Sequence, residues 1–82
     1  MRIRLLYFSV LRDLADGDEV DYETGTGIDT VGDLLAELYA VRPALADWDD
    51  RLLLAVNGSY ATRDTPIASG DEVALMPPVQ GG

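Results

Sequence analysis

Three residue types that supply much of the chemistry of proteins are missing from this sequence, which contains no cysteine, no histidine and no lysine. Without cysteine there is no disulfide, thiol nucleophile or zinc-thiolate cluster. Without histidine or lysine, the three serines lack their usual activating bases. Scattered carboxylates such as Asp49 and Asp50 lack the loop spacing of a calcium site. We therefore expect no bound metal or cofactor and no self-contained nucleophilic enzyme.

Long apolar runs are also missing. No run approaches the roughly 18 residues of a membrane span, and the chain opens on a strand-like pattern with two arginines rather than on a signal peptide. The 82 residues suffice for one domain, and an apolar fraction of 48% is ample for its core. We expect a soluble, cytoplasmic domain that does not enter a membrane.

The charges are strongly unbalanced. Six arginines stand against fifteen carboxylates, and the net charge is −9. Nucleic acids and anionic membranes should repel such a chain, so its partner is expected to be a protein with a basic or apolar docking face. The alternative is that the acidity only keeps a small protein in solution.

Five segments have the pattern of β-strands, namely residues 2–10, 19–23, 52–56, 59–62 and 72–76. The first should be half exposed at its start and buried on both faces at its end, because its alternate residues form two apolar rows. These rows are Ile3, Leu5 and Tyr7 on one face and Leu6, Phe8 and Val10 on the other. A single helical turn over 11–15 follows. Asn57-Gly58 is typical of a tight hairpin turn between the third and fourth strands.

One helix is clearly indicated. Thr30 and Asp33 form a capping-box pattern at its start. An apolar stripe follows at helical spacing, made of Val31, Leu34, Leu35 and Leu38. Pro43 should end the helix, and an irregular link with Trp48 as a packing residue should occupy 43–50.

These elements predict an α+β fold in which one main helix packs across a mixed sheet of four to five strands. The first two strands should form a hairpin, and the helix permits a crossover to a parallel partner of the first strand. This is a β-grasp arrangement. We expect a β-grasp domain over residues 1–76 and an extended C-terminal tail over 77–82.

The tail differs from the rest of the chain because it has no charge and ends in Gly81-Gly82. Pro77 and Pro78 favour an extended exit from the sheet, and six residues can span roughly 20 Å. Glycines lack Cβ atoms and can enter a narrow channel. The α-carboxylate of Gly82 is a suitable nucleophile toward ATP, but the chain lacks phosphate-binding groups, so a separate enzyme must activate it. A Gly-Gly ending alone is weak evidence.

A family resemblance rests on three stretches. Residues 52–57, 70–74 and above all 77–82, Pro-Pro-Val-Gln-Gly-Gly, resemble the small subunit of molybdopterin synthase, and residues 3–8 and 10–14 are similar to that family's N-terminus. The resemblance covers the whole chain. It implies a ubiquitin-like β-grasp fold and a role in molybdenum cofactor biosynthesis.

The resemblance also implies a mechanism. An E1-like enzyme uses ATP to adenylate the terminal glycine, which becomes a thiocarboxylate. The tail then enters the large subunit, which builds the dithiolene of molybdopterin in a heterotetramer. By position, Gly82 bears the sulfur, Gly81 is its slim neighbour, and Pro77, Pro78, Val79 and Gln80 belong to the inserted tail.

The docking face can be predicted only loosely. Tyr60, Met76 and Val79 are candidates for an apolar patch beside the tail, with Met76 at a position where the family often has an aromatic residue. The alternative is that Tyr60 and Met76 merely cap the edge of the core.

Three other functions remain open at this point. The chain could carry sulfur for another pathway, such as thiamine thiazole synthesis. It could be a ubiquitin-like modifier joined to target lysines through Gly82, although without lysine it could not form chains on itself. It could also be an interaction domain with an irrelevant tail.

Overall fold

The computed structural model of the chain describes residues 1–15 and 17–78. Five strands are present in this part, namely β1 (Arg2–Tyr7), β2 (Glu19–Glu23), β3 (Leu53–Val56), β4 (Ser59–Ala61) and β5 (Glu72–Met76). The α-helices are α1 (Val31–Val41) and α2 (Pro43–Ala46). Two 3-10 helices cover Ser9–Leu14 and Asp49–Arg51.

The strands form one mixed sheet in the order β2-β1-β5-β3-β4. β1 pairs antiparallel with β2 and parallel with β5, whereas β3 pairs antiparallel with both β5 and β4. A parallel pair needs a crossover connection, and the chain between β2 and β3 supplies it with α1. The predicted α+β fold is confirmed: it is a ubiquitin-like β-grasp with one main helix across a mixed sheet of five strands.

The start of α1 has the predicted capping box. The Asp33 N–H donates to Thr30 Oγ1 at 3.2 Å, and Asp33 Oδ2 accepts from the backbone N–H of Asp29 at 3.0 Å and of Thr30 at 3.2 Å. These donors, first Asp29 and then Thr30, hold the pKa of the Asp33 carboxyl below its usual value. The cap therefore satisfies N–H groups that the first turn leaves without helical partners.

The core lies between α1 and one face of the sheet. The predicted helical stripe is buried throughout. It meets side chains from the three central strands, which are Ile3, Leu5, Tyr7, Leu54, Val73 and Leu75. The two glutamates and the aspartate of β2 are exposed, while Val20 and Tyr22 are half-buried, as the alternation predicts.

The first strand is shorter than the sequence suggests. β1 ends at Tyr7, and Ser9 has a φ of +56°, which takes the chain out of the strand and into a 3-10 helix that extends to Leu14. Phe8 is consequently 45% exposed and Val10 41% exposed. The predictions of a strand to residue 10 and of burial on both faces at its end were therefore wrong, and the helical turn begins two residues earlier than expected.

The link over 43–50 is more regular than predicted. α1 ends at Val41, and Pro43 then starts the short helix α2, where its missing N–H costs no helical bond. Trp48 packs against the core as expected, and the Arg51 guanidinium lies 4.4 Å from its ring centroid. Pro43 thus begins a second helix besides following the end of the first.

One side-chain contact joins the edge strand β2 to α1. The Tyr22 hydroxyl donates to Glu37 Oε2 at 2.6 Å, and Glu37 Oε1 accepts from the backbone N–H of Gly25 at 2.8 Å. Burial, followed by the bond to the Glu37 carboxylate, raises the pKa of Tyr22 to about 12. The proton on Tyr22 is therefore part of the contact between sheet and helix.

None of the helices in the described ranges is long and apolar enough to cross a membrane.

Replacing the helix cap should weaken the fold. Thr30→Ala removes the oxygen that accepts from Asp33, and the free energy of unfolding should fall by about 1 kcal/mol. Urea denaturation measures this loss. Thr30→Ser keeps the hydroxyl and should retain most of the stability, so an equal loss in both variants would contradict the capping role.

Alkaline pH should destabilise the protein through Tyr22. The neutral phenol is the form that the fold favours, and its pKa rises from 10.0 to about 12. Its contribution is therefore complete below pH 10 and is lost as the pH rises toward about 12. In Tyr22→Phe the free energy of unfolding should fall less steeply across this window, with Glu37→Gln intermediate. Equal slopes in all three proteins, measured by urea denaturation, would contradict this.

Candidate functional site

The sheet face opposite α1 carries an apolar row that crosses four strands. The register pairs Leu6 with Ala74, Ala74 with Ala55, and Ala55 with Tyr60. Directly paired residues project from the same face of a sheet. This row therefore joins β1, β5, β3 and β4 on the side that α1 does not cover.

Two further side chains complete what we call the apolar patch, defined as Leu6, Phe8, Ala55, Tyr60, Ala74 and Met76. These residues line a shallow concavity of about 340 Å³, with Gly58 and Glu72 also at its wall. Tyr60 is 81% exposed on the edge strand, and Phe8 is the other aromatic residue of the patch. Ala55 and Ala74 are only 9% exposed, so the accessible apolar surface comes from the other four residues. An apolar concavity flanked by exposed aromatic side chains is typical of an interaction surface.

The patch lies where the tail leaves the sheet. β5 runs between β1 and β3, so its end at Met76 is in the middle of the sheet. The Phe8 N–H donates to the Leu75 carbonyl at 3.2 Å, and Leu53 stands opposite Met76. Pro77, which follows directly, is half-buried. A partner seated on the patch would therefore contact the root of the tail.

The structure brings together two of the residues predicted for the docking face. Tyr60 and Met76 line the same concavity, although they lie on strands that are not neighbours. Pro77 and Pro78 follow β5 outside regular structure, as predicted. The remaining predicted site residues, Val79, Gln80, Gly81 and Gly82, lie outside the described residues, and their roles stay predictions.

Sequence reasoning missed Leu6 and Phe8 as members of the patch. Their alternation with Leu5 and Tyr7 predicts two apolar rows, and the expectation that this chain buries both of them is wrong for the row of Leu6 and Phe8. The same alternation is found in a strand whose second apolar row stays accessible at the surface and can be buried by a binding partner. The early end of β1 distinguishes an exposed second row from a buried one, because it leaves Phe8 at the margin of the sheet.

The part of this face over β2 and the start of β1 is charged. Arg4 lies 2.9 Å from the Glu19 carboxylate and 3.9 Å from that of Asp21, and Arg2 lies 3.3 Å from Glu23. The N-terminal ammonium donates to Glu23 at 3.0 Å and, as the main cause, holds the pKa of that carboxyl below its usual value. Exposed pairs of this kind add little stability. They divide the face into a charged half over β2 and β1 and an apolar half beside the tail.

A second polar cluster lies away from the patch. Asp49 Oδ1 accepts from the Tyr39 hydroxyl at 2.6 Å and from the Arg63 guanidinium at 2.8 Å. Burial, and then the bond to Asp49, raises the pKa of Tyr39, while Tyr39 and Arg63 hold the pKa of Asp49 below its usual value. One backbone bond, from the Gly32 N–H to the Arg63 carbonyl, also ties this loop to α1. The cluster braces the loop after β4 against the helices and has no feature of a catalytic site.

Comparison with known proteins gives three close similarities and one family. The ThiS family model matches residues 5–82. The molybdopterin synthase sulfur carrier subunit of Chlamydomonas reinhardtii is 39% identical, with 100% of both chains covered. Its counterpart from Escherichia coli is 40% identical, with 98% of this chain and 99% of the relative covered.

A solved structure is also similar. The small archaeal modifier protein 1 of Haloferax volcanii is 32% identical and superposes with a TM-score of 0.79, covering 95% of this chain and 98% of that chain. The family match extends through residue 82 and therefore includes the Gly-Gly ending.

Proposed function

Because this chain belongs to the ThiS family and, within it, to the molybdopterin synthase sulfur carrier subunits, we propose that it carries sulfur on the C-terminal carboxyl of Gly82 for the synthesis of molybdopterin. The observation that carries the proposal is the position of the apolar patch at the root of the tail. A docking surface at the root of the tail that bears the reactive group suits a protein that binds one enzyme after another.

The first step takes place on an activating enzyme of the E1-like class. A carboxylate oxygen of Gly82 attacks the α-phosphorus of ATP, pyrophosphate leaves, and an acyl-adenylate forms. A sulfur donor then supplies sulfide-equivalent sulfur, which attacks the acyl carbon and displaces AMP. The product is a thiocarboxylate, in which sulfur has replaced one oxygen. This chain contributes the carboxyl group, and its partner contributes the phosphate-binding groups.

The second step takes place in the large subunit of the synthase. The tail enters the partner's active site, where the thiocarboxylate sulfur bonds to a carbon of the pterin precursor and displaces an oxygen leaving group. Water then hydrolyses the resulting thioester, so the sulfur stays on the pterin and the Gly82 carboxylate is regenerated for another round. Pro77 and Pro78 would direct the tail, while Gly81 and Gly82 would pass a narrow channel because they lack Cβ atoms. The assembly would be a heterotetramer in the cytoplasm, and the catalytic acids and bases would belong to the large subunit.

Docking in both steps is assigned to the apolar patch. Tyr60 and Phe8 are aromatic and exposed, which is typical of residues that contribute most to binding energy. Met76 has a flexible side chain that can adapt to more than one groove. The charged half of the face would fix the orientation of the partner rather than supply affinity.

A second candidate function is protein modification. It is favoured by the similarity to the small archaeal modifier protein 1. In that case the activated Gly82 would form an isopeptide bond with a lysine of a target.

A sulfur carrier for thiamine thiazole synthesis would use the same thiocarboxylate with another acceptor. Mass spectrometry of the activated chain separates a stable thiocarboxylate from Gly-Gly remnants on other proteins, and dithiolene formation identifies the pathway.

Removing Gly81-Gly82 should abolish sulfur transfer without unfolding the protein. The truncated chain should keep its melting temperature and still bind the large subunit, because the apolar patch is intact. It should form no thiocarboxylate and support no dithiolene formation in a reconstituted assay. Val41→Ala, on α1 and away from both the patch and the tail, keeps the reactive terminus and is the control. Dithiolene formation by the truncated chain at the rate of the control would refute the proposed function.

A charge placed in the apolar patch should prevent docking. Tyr60→Arg or Met76→Arg should weaken binding to the large subunit at least roughly tenfold, because an arginine would be desolvated at the centre of the interface. Isothermal titration calorimetry measures this change.

Val41→Arg is the matched control, since Val41 is 61% exposed on α1, away from the patch. Its affinity should equal that of the parent. Equal affinities of all three variants would show that docking uses another surface.

A further inference from the structure

The turn between β3 and β4 has an uncommon backbone conformation. Asn57 has a φ of +50° and Gly58 a φ of +84°. Glycine adopts this left-handed region freely, and asparagine is among the few other residues that tolerate it. The predicted Asn-Gly hairpin turn is therefore present, but glycine at position 57 would satisfy the backbone equally well. The Asn57 side chain, however, makes hydrogen bonds that glycine could not make.

The Asn57 side chain takes part in the sheet. Val56 pairs with Val73, so the next residues in register are Asn57 and Glu72. The Asn57 N–H donates to the Glu72 carbonyl at 2.8 Å. The reverse bond of this pair does not use the Asn57 carbonyl: the Glu72 N–H donates to Asn57 Oδ1 at 3.0 Å. The side-chain oxygen thus extends the β3–β5 ladder by one bond while the backbone has already turned toward β4.

The other half of the same amide reaches Asp71. Asn57 Nδ2 donates to Asp71 Oδ1 at 3.0 Å, and Asp71 Oδ2 accepts from the Ala68 N–H at 2.8 Å. The Asp71 carbonyl accepts from the Arg4 N–H at 3.0 Å. The Asn57 side-chain amide thus joins the hairpin turn to Asp71 at the start of β5. Asp71 in turn joins it to β1, because its carbonyl accepts from Arg4.

This connection bears on Tyr60 because of where β4 lies. β4 is a three-residue edge strand, and β3 is its partner in the sheet. Tyr60 occupies the middle of β4, two residues after Gly58. The far end of β4 is held by the loop in which the Arg63 carbonyl accepts from the Gly32 N–H at 2.8 Å. The near end is held by the turn, and hence by Asn57.

We propose that Asn57 is a positioning residue, which fixes the β3–β4 hairpin relative to β5 so that Tyr60 and the root of the tail meet a partner in one geometry. The inference rests on the proposed function, since it assigns Asn57 a role in docking. Asparagine supplies the left-handed backbone, an acceptor for Glu72 and a donor for Asp71. Glycine supplies only the first, and aspartate would lose the donor and set a carboxylate against Asp71.

The free protein gives the first test. In Asn57→Gly, hydrogen exchange of the β4 amides, measured by NMR, should accelerate roughly tenfold, as expected for the loss of a hydrogen bond, while exchange in β2, which the Asn57 bonds do not reach, stays unchanged. Ser59→Ala, in the same hairpin, is the matched control and should exchange like the parent. Unchanged exchange of β4 in Asn57→Gly would overturn the inference whatever the partner does.

Binding to the large subunit gives the second test, at a temperature where every variant is folded. Asn57→Gly should raise the dissociation constant roughly tenfold when Tyr60 is present and leave it unchanged in the Tyr60→Ala background, because its effect acts through Tyr60. The transfer rate of the saturated complex should not change. A merely structural role would lower the melting temperature but leave the affinity as it is.

The outcomes separate the two proposals. If the affinity of Asn57→Gly equals that of the parent, or falls equally in both backgrounds, the positioning role is wrong and the proposed function stands. If the parent does not bind the large subunit and forms no thiocarboxylate, the proposed function is wrong, and the docking role of Asn57 is overturned with it.

Discussion

The parallel pairing of β1 with β5 is the constraint on which the rest of the structure depends. It joins the first strand of the chain to the last and places both in the middle of the sheet. Parallel neighbours cannot be joined by a hairpin, so the chain between them must cross one face, and α1 occupies that face. The amphipathic helix, its cap at Thr30 and the buried residues of β1 and β5 all follow from this crossover.

The same pairing determines where chemistry can take place. Because β5 is central, the tail leaves between two neighbouring strands rather than at an edge. The face left open by α1 then borders the exit with the apolar patch, while the Arg2 and Arg4 ion pairs lie toward the other end of β5, where Arg4 pairs with Glu72. A carrier needs its recognition surface at the root of the tail that bears its reactive group, and this topology places the apolar patch there.

Local signals predicted most of the fold, and long-range contacts explain what they did not. The alternation in 19–23, the run 72–76 and the Thr30 cap depend on neighbours in sequence, and they were predicted correctly. The positive φ of Ser9 left no sequence signal. Apolar alternation does not show whether an apolar row is buried by its own chain or by a partner protein. This is why Phe8 was predicted to be buried, although it is exposed. The Asn57 amide and the Tyr39 cluster bridge residues at least ten positions apart, and no periodicity shows such contacts.

Under the proposed function one terminal residue serves two enzymes in turn, so the two complexes exclude each other. A docking surface that bound either enzyme too tightly would stop the cycle. The patch suits exchange because it is shallow and has few anchors, and affinity depends on such anchors rather than on area. Accurate docking of a partner must then come from the fixed positions of the few anchor side chains. An edge strand of three residues is a weak support for an anchor such as Tyr60, and a side chain that ties its turn to β5 compensates for that weakness.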